Sequence, residues 1–378
     1  MKGWQTKSLG ETCKFINGLW KGEALPLVRI GVIRNTNFTK DGTIDLSDIA
    51  FIDVEEKKLA SRRLAYGDII LEKSGGGPKQ PVGRVALFDK PGHDFSFSNF
   101  TAAIRVAAPN EIDFRFLHKY LFWFYISGNT ERMQSHSTGI RNLNGDAYKS
   151  ISISYPSIAE QKRIVGILDQ AFDGIATAKA NAEKNLQNAR AIFESYLHGF
   201  DDKTERLGEL VDIRTGKLDA NAAVEGGEYP FFTCSREIYA INTYAFDCEA
   251  ILLAGNNAVG DFNVKHYNGK FNAYQRTYVI TVKTPPKIRY RFLYYQMRRS
   301  LGRFKEQSVG AGTKFLKLDM IKNMEIALPI LKDQDTEIGV MDGLLAETGN
   351  LEAIYQKKIA ALDDLKKSLL DQAFTGNL

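Results

Sequence analysis

The segment 72–84, EKSGGGPKQPVGR, combines a glycine-rich apex with side chains that can contact a phosphate or the edge of a base. A phosphate-binding P-loop would need GxxxxGK[ST] followed by a helix, and the segment has neither feature. A flexible loop that presents amines and amides to a nucleic acid fits the composition, and an ordinary hairpin tip is the alternative. The candidate DNA-binding residues here are Lys73, Ser74, Lys79, Gln80 and Arg84.

Four other segments carry the same residue types: QSHSTGIRNLNGD (134–146), LAGNNAVGDFNVKHY (253–267), NAYQRTYV (272–279) and QSVGAGTKFLKLD (307–319). Arginine pairs bidentately with guanine, and asparagine or glutamine with adenine, but the same side chains also bind phosphates. The pattern leaves both roles open, and strand alternation would bury half of the third segment. The further candidates are Arg141, Asn142, Asn256, Asn257, Lys265, Gln275, Arg276 and Lys314.

Patterns typical of catalysis are missing. An adenine methyltransferase would need a glycine-rich cofactor turn and a [DNS]PP[YFW] motif, and TPPK at 284–287 is not such a motif. A nuclease of the PD…ExK type would need clustered carboxylates beside a lysine, and no convincing spacing occurs. The five histidines form no metal-ligand pair at helical spacing. We therefore predict that the chain is not an enzyme, with no catalytic residue, no metal and no cofactor.

These loops must be positioned by a scaffold, and the scaffold is repeated. A shift of 173 residues aligns PSIAEQKRIVGILDQAF (156–172) with PILKDQDTEIGVMDGLL (329–345) without a gap. Earlier, SLGE at 8–11 matches RLGE at 206–209, whereas the interiors at 20–100 and 218–275 do not resemble each other. The chain is thus predicted to hold two copies of one unit, with a shared frame and different interiors. The shift pairs Gly139 with Gly312, Asp146 with Asp319, Lys149 with Lys322, Ile153 with Ile326, Pro156 with Pro329, Gln161 with Gln334, Leu168 with Met341 and Ser195 with Ser368.

Each copy ends in a long helix with a narrow apolar stripe. The steps of three and four residues are those of a coiled-coil seam, and a proline precedes each helix. We predict that the two helices pair antiparallel, with Ala171, Ala178 and Ala182 near Leu362, Tyr355 and Leu351. Packing of each helix on its own globular segment is the alternative. The predicted seams are Ile164, Leu168, Ala171, Ile175, Ala178, Ala182, Leu186, Ala189, Phe193 and Tyr196, and Ile338, Met341, Leu345, Leu351, Tyr355, Ile359, Leu362, Leu365 and Leu369.

The globular segments alternate strand-like runs with one aromatic helix each, DFRFLHKYLFWFYI and IRYRFLYYQMRRS, so we expect a mixed α/β (α+β) fold. The predicted architecture is two globular domains joined by two long antiparallel coiled-coil helices, with a pseudo-twofold internal repeat. The predicted boundaries are 1–157 for the first domain, 158–199 for the first spacer helix, 200–330 for the second domain and 331–378 for the second spacer helix.

Composition and charge indicate the kind of ligand and the cellular compartment of the chain. Its net charge is +5, and the basic excess lies in the two globular segments, which suits contact with a polyanion. Three cysteines without a CxxC pair favour a reducing compartment. No run of 18 apolar residues occurs, so no membrane span is predicted. We expect a cytoplasmic protein.

The two-copy plan, the P-x-x-x-[ED]-Q helix starts and the ending LKKSLLDQAFTGNL resemble the specificity subunit of type I restriction–modification systems. GVIRNTNFTKDGTIDLSDIAFIDVEE (31–56) and GDIILEKSGGGPKQPVGR (67–84) look like one target-recognition domain of that family. YPFFTC (229–234) with FNAYQRTYV (271–279) looks like another, of a different recognition type. The resemblance covers essentially the whole chain.

This resemblance implies that each globular domain reads one half of a split, asymmetric site on double-stranded DNA, while the helix pair sets the distance between the halves. It implies as partners two copies of a methyltransferase (modification) subunit and the restriction (helicase-nuclease) subunits. The assembled complex would be a site-specific DNA adenine methyltransferase and an ATP-dependent endonuclease, to which this chain contributes recognition without catalysis. The alternatives are a stand-alone coiled-coil DNA-binding or adaptor protein, and an enzyme with a degenerate motif.

Overall fold

The computed structural model describes residues 3–77, 80–90, 92, 94–135, 140–197 and 203–378. The chain divides into two compact units. Unit 1 comprises Met1–Asn181 and Lys358–Leu378, and unit 2 comprises Ala182–Lys357. Each unit therefore contains one globular segment together with a part of each long helix, and each is described by itself below.

Unit 1 opens with a short strand, a helical turn and a second strand. The turn is capped by Ser8, whose hydroxyl accepts from the Glu11 backbone N–H while the Glu11 carboxylate accepts from the Ser8 N–H. The strands are β1 (Gln5–Ser8), β2 (Cys13–Asn17), β3 (Leu27–Ile33), β4 (Ala50–Glu55), β5 (Ile69–Glu72), β6 (Ser74–Gly76), β7 (Val85–Leu87), β8 (Phe95–Phe97), β9 (Thr101–Val106), β10 (Gln134–Ser135), β11 (Arg141–Leu143) and β12 (Ser152–Tyr155). The helices are α1 (Leu9–Thr12), α2 (Glu56–Ala60), α3 (Phe114–Ile126), α4 (Gly145–Lys149) and α5 (Ile158–Leu197), which continues into unit 2.

The strands described in unit 1 form four small sheets. The order β2-β9-β5-β7 is antiparallel throughout, and β4-β3-β8 adds a parallel pair between β3 and β8. β1 pairs with β12, and β10-β11-β6 forms the fourth sheet. The main core lies between the first sheet and α3, where Phe116, Leu117 and Leu121 are fully buried. Gly75 in β6 and Ile140, just before β11, are exposed.

Unit 2 repeats the elements at both ends of this order, from a strand, a helical turn and a strand at the start to a short helix, a strand and a long helix at the end. Its strands are β13 (Thr204–Arg206), β14 (Val211–Thr215), β15 (Tyr229–Phe232), β16 (Tyr239–Ile241), β17 (Phe246–Ala254), β18 (Asn256–Asn257), β19 (Val264–Ala273), β20 (Thr277–Val282), β21 (Lys314–Phe315) and β22 (Glu325–Ala327). Its helices are α6 (Leu207–Leu210), α7 (Tyr290–Arg299), α8 (Leu301–Gln307), α9 (Leu318–Lys322) and α10 (Leu331–Thr375), which continues into unit 1.

The sheets of unit 2 follow the same frame with a different interior. The main sheet has six strands in the order β14-β20-β17-β19-β15-β16, while β13 pairs with β22 and β18 with β21. Phe292, Leu293 and Tyr295 of α7 are fully buried in its core, as α3 is in unit 1. The elements at the start and the end of the two globular segments therefore match. The strands without a counterpart in the other unit fall where the two sequences differ.

The two long helices share a core within each unit. In unit 1, Ile164 and Leu168 of α5 lie in one cluster with Leu370 and Phe374 of α10. Because Arg163 reaches the Leu378 carbonyl at 3.2 Å and Lys179 pairs with Asp363 at 2.8 Å, the helices run antiparallel there.

In unit 2, Phe193 of α5 and Met341 of α10 lie in one cluster, and Arg190 pairs with Glu352 at 3.1 Å. The Tyr196 hydroxyl donates to Glu337 at 2.8 Å, so the helices are antiparallel there too. The predicted mixed fold with two antiparallel spacer helices is confirmed.

Burial tests the predicted seams one residue at a time. Along α5 the buried positions include Ile175, Ala182 and Ala189, as predicted. Along α10, Leu351 and Leu365 are exposed by 37% and 47%, so placing them on the seam was wrong. The steps of three and four residues pass instead through Thr348, which is buried, and through the half-buried Glu352 and Lys366. At these two positions the apolar residue was predicted to lie on the seam, but the polar residue that follows it lies there instead.

Candidate nucleic-acid interface

In unit 1, β6 and β11 bring two of the predicted loops together. The ladder pairs Asn142 with Ser74 and Arg141 with Gly76, with a bulge between the two rungs. The Ser74 hydroxyl donates to the Asn142 side-chain oxygen, which fixes both side chains on one small sheet. Residues separated by 68 positions in the sequence therefore form one polar surface, which we call ladder 1 (Ser74–Gly76 with Arg141–Leu143).

Unit 2 contains the equivalent ladder. β18 pairs with β21 so that Asn256 lies opposite Phe315 and Asn257 opposite Lys314. The 173-residue shift places Arg141 on Lys314 and Asn142 on Phe315, so the two ladders have corresponding rungs. We call this surface ladder 2 (Asn256–Asn257 with Lys314–Phe315). The frame positions both ladders in the same way, and their side chains differ.

Arg84 has a carboxylate partner inside unit 1. Its guanidinium donates two hydrogen bonds to Glu72, from Nε at 2.7 Å and from a terminal nitrogen at 2.9 Å. Glu72 is 1% exposed, and the guanidinium also donates to the Asn35 carbonyl at 3.1 Å. A guanidinium that forms a bidentate pair with a buried carboxylate is needed to neutralise that carboxylate in the fold. The geometry therefore favours a structural role for Arg84. Contact with DNA through Arg84 stays a prediction.

Lys73 and Arg141 are also engaged. The Lys73 ammonium donates to the Asn17 side-chain oxygen at 2.8 Å, and partial burial lowers the pKa of Lys73. Arg141 pairs with Glu131 at 3.2 Å. Gln80 is exposed, and with its amide oxygen turned toward Arg84 it accepts from that guanidinium at 2.8–3.1 Å. Lys79 lies outside the described residues.

Two candidates of unit 2, Asn257 and Lys265, form hydrogen bonds within the fold. The Asn257 side-chain oxygen accepts from the backbone N–H groups of Val259 and Asp261 at 2.9 and 3.0 Å, which folds the segment after β18. The Lys265 ammonium donates to the Ser235 carbonyl at 2.6 Å, and burial lowers the pKa of Lys265. Both residues are half-buried, and their contact with DNA stays a prediction.

Gln275 and Arg276 form an exposed turn between β19 and β20. Gln275 donates to Asp219 at 2.6 Å, and the guanidinium of Arg276 lies over the ring of Phe315, 5.2 Å from its centroid. Since Phe315 belongs to ladder 2, Arg276 extends that surface. The structure thus brings Asn256, Lys314 and Arg276 into one contiguous patch, whereas the Lys265 ammonium is bound to the Ser235 carbonyl.

Sequence reasoning missed an aromatic pocket in unit 1. Its volume is about 300 Å³, and its lining includes Trp20, Arg34, Asn35 and Phe100. Trp20 is 73% exposed and Phe100 is 44% exposed. A β-carbon on Gly75 would lie 3.2 Å from the Asn35 amide nitrogen and 3.8 Å from the Phe100 ring, so the pocket borders ladder 1. The available signal was SNFT at 98–101, which occupies the place of YQRT at 274–277.

In the described ranges, no group of three or more histidine, cysteine or acidic side chains has a geometry that could hold a metal ion. His118 is buried in α3, and burial, reinforced by the Lys119 charge, lowers its pKa to about 4. None of the helices in these same ranges combines the length and apolarity that a bilayer span requires.

Comparison with known proteins agrees with the repeat. The type I restriction modification DNA specificity domain family matches residues 1–187 and again residues 201–360. The EcoDI specificity subunit of Escherichia coli is 41% identical over 178 residues, which cover 47% of this chain and 39% of that protein. The StySPI specificity subunit of Salmonella potsdam is 25% identical over 426 residues, covering 100% of this chain and 89% of that protein.

A solved structure that concerns complex assembly and conformational transition of the type I R-M system has the same fold over the full length. Its TM-score is 0.78 at 18% identity, with 100% of this chain and 99% of that chain covered. The two family matches, the two corresponding ladders and this shared fold lead to one conclusion. The chain belongs to the family of type I restriction–modification DNA specificity subunits.

Proposed function

We propose that this chain recognises a split, asymmetric target on double-stranded DNA, with one half-site for each globular segment. The observation that carries the proposal is the pair of ladders, which share a frame and carry different side chains. A shared frame would explain why both segments engage the same kind of ligand. Different side chains at corresponding rungs explain why the two half-sites differ, because base edges are distinguished by the donors and acceptors that face them.

The long helices act as the spacer between the half-sites in this proposal. From Gln161 to Ser195, and from Gln334 to Ser368, the rise is roughly 50 Å at about 1.5 Å per residue. That length equals about 15 base pairs and is an upper limit for the separation. Half-sites centred about one helical turn apart, ~10 base pairs, would lie on one face of the duplex.

The catalytic steps belong to partner subunits in this proposal. The repeated frame would offer similar docking surfaces to two copies of a methyltransferase subunit, which would hold the methyl donor and flip the target adenine. A restriction subunit with helicase and nuclease activities would join the same assembly in the cytoplasm. The solved structure with the same fold concerns complex assembly of the type I R-M system, and this likeness supports the assignment.

A domain exchange tests the division of labour. Residues 1–155 would be replaced by the matching segment of a relative, the chain would be expressed with its methyltransferase partner, and methylated adenines would be mapped across the host genome. One half-site of the methylated sequence is expected to change while the other is kept. A change in both halves, or in neither, would contradict the proposal.

A stand-alone DNA-binding or adaptor protein is the second candidate. Neighbouring genes for a methyltransferase and a helicase-nuclease favour the restriction–modification assignment, and their absence would favour the alternative. An enzyme with a degenerate motif is the third candidate. Purified chain given methyl donor and DNA, without partners, is expected to show no methyl transfer or cleavage, and turnover would favour this third candidate.

A further inference from the structure

Each unit carries a two-residue turn immediately before a central strand. In unit 1 the turn is Asn99–Phe100, ahead of β9, and in unit 2 it is Gln275–Arg276, ahead of β20. The backbone N–H of Thr101 donates to the Ser98 carbonyl at 2.9 Å. The N–H of Thr277 donates to the Tyr274 carbonyl at 2.8 Å. The two turns therefore close in the same way.

The surroundings of the two turns also correspond. Ser98 forms a parallel bridge with Leu19, and Tyr274 forms one with Leu218. β9 begins with Thr101 paired to Glu72, and β20 begins with Thr277 paired to Ala254. This identical register places the two turns at the same point of their sheets.

Backbone hydrogen bonds then tie each turn to its ladder. The Phe100 carbonyl accepts from the Lys73 N–H at 3.0 Å, one residue before ladder 1 begins. The Arg276 carbonyl accepts from the Gly255 N–H at 2.9 Å, one residue before ladder 2 begins. The turn and the ladder consequently form one continuous surface in each unit.

The two turns present different chemical groups, an apolar aromatic ring in unit 1 and a cationic guanidinium in unit 2. Phe100 is 44% exposed beside the pocket that Trp20 rims, so unit 1 presents an apolar aromatic surface. Arg276 is exposed and stacks on Phe315, which orients its planar donor fork. Within the described part of unit 2 no carboxylate forms an ion pair with Arg276, in contrast to the pairing of Arg84 and Arg141 in unit 1.

We propose that these two turns are equivalent base-contacting elements and that they make the two half-sites differ. In this proposal, which rests on the proposed function, Phe100 contacts the 5-methyl group of a thymine. Arg276 donates two hydrogen bonds to O6 and N7 of a guanine. The exposed rings of Trp20 and Phe100 line the same pocket, and such a contiguous apolar patch marks an interaction site. A thymine methyl is the apolar feature of the major groove.

The test is methylome mapping of the full chain expressed with its methyltransferase partner. Phe100→Ala is expected to relax a thymine·adenine preference at one position of one half-site by about ten-fold. Arg276→Ala is expected to relax a guanine preference in the other half-site by a similar factor. In each variant the untouched half-site reports that the protein is folded and assembled.

Matched controls distinguish the loss of a base contact from the loss of an exposed side chain of the same type elsewhere on the surface. Phe51 is 57% exposed on β4, between the two pocket-lining residues Ala50 and Ile52, so it points to the opposite face of the strand. Phe51→Ala is expected to leave every base preference unchanged, as is substitution of the exposed Arg303 by alanine in unit 2.

The outcomes separate this inference from the proposed function. A wild-type chain that yields no split methylated sequence would contradict the proposed function. A split sequence that both turn variants leave unchanged would overturn the inference alone. A uniform drop in methylation without any change of base preference would also overturn it, because phosphate or protein contacts carry no base preference.

Discussion

Gln161 and Gln334, which lie 173 residues apart, make the same three hydrogen bonds. The amide nitrogen of Gln161 donates to the carbonyls of Glu111 and Pro156, at 2.7 and 2.8 Å, and its oxygen accepts from the Asp113 N–H at 2.9 Å. The nitrogen of Gln334 donates to the carbonyls of Lys287 and Pro329, at 3.0 and 2.8 Å, and its oxygen accepts from the Arg289 N–H at 2.8 Å.

Both glutamines are fully buried, and each joins the start of a long helix to the start of the aromatic helix of its unit. Asp113 and Arg289 are the N-cap residues of α3 and α7. The repeated glutamine is therefore a structural link between the spacer helix and the globular segment. Its side chain makes the same polar contacts in both copies because both copies present the same backbone groups to it.

Gln161→Leu is expected to lower the free energy of unfolding by about 3 kcal/mol, since it leaves the Pro156 carbonyl, which is buried, and two part-buried backbone groups without partners. Gln334→Leu is expected to cost a similar amount in the second unit. Urea unfolding measures both. The exposed Gln170 of α5 gives a matched control, and Gln170→Leu is expected to stay within about 0.5 kcal/mol of wild type. Equal stability of Gln161→Leu and wild type would contradict this account.

Arg84→Ala is expected to destabilise the chain by about 3–5 kcal/mol, because it leaves the buried Glu72 carboxylate without its partner. Replacing both members, Arg84→Met with Glu72→Leu, is expected to recover most of the loss. Arg63→Ala removes the exposed pair with Asp94 and is expected to cost no more than about 1 kcal/mol. A stable Arg84→Ala variant with altered base preference would show that Arg84 reads DNA directly.

Stability is expected to fall as the pH is lowered from about 6.5 to 4. In the unfolded chain His118 takes up a proton near pH 6.5, whereas burial lowers its pKa in the folded chain to about 4. The unfolded state binds more protons across that interval, so the free energy of unfolding decreases by about 3 kcal/mol on acidification. The contribution is fully present above pH 6.5.

The measurement is the difference between wild type and His118→Leu in urea unfolding at about pH 7 and about pH 4. The difference is needed because many carboxylates titrate in the same interval. The variant is expected to lose less stability on acidification than wild type. A parallel decline of the two proteins would show that His118 does not contribute.

Insertion of seven residues after Ala178, matched by seven after Asp363, is expected to lengthen the gap between the methylated half-sites. Asp363 is chosen because it pairs with Lys179 within unit 1. Seven helical residues add about 10 Å, or about three base pairs. Insertion in α5 alone disrupts the seam and serves as the control. Methylome mapping measures the gap. If the matched double insertion leaves the gap between the half-sites unchanged, the long helices do not act as the spacer.

The repeated frame could be predicted from the sequence because residues such as Pro156 and Gln161 recur without a gap at Pro329 and Gln334. The correct helix seam was harder to predict, because Leu351 and Leu365 stand one residue away from the half-buried seam positions Glu352 and Lys366. Strict steps of three and four through Thr348 would have located the seam, at the cost of placing polar residues on it.

The candidate site could be predicted only in part. Residue types indicated Asn256, Lys314 and Arg276, which the structure places side by side. They could not reveal that Arg84 is paired with Glu72, since that contact depends on folding. Phe100 could not be predicted as a site residue, because the sequence does not distinguish an exposed aromatic residue in a loop from a buried aromatic residue of the core. Only the shared turn before Thr101 and Thr277 identifies its position.

Unit 1 is assembled from residues 1–181 together with residues 358–378, and this has a consequence for biosynthesis. While a ribosome is still translating unit 2, the first globular segment lacks Leu370, Ala373 and Phe374, which complete its core. The apolar face around Phe116 and Tyr120 therefore stays uncovered until Phe374 is available to pack on it. A nascent chain that stalls before residues 370–374 are synthesised would display that face to chaperones and proteases, so complete folding of unit 1 depends on synthesis of the end of α10.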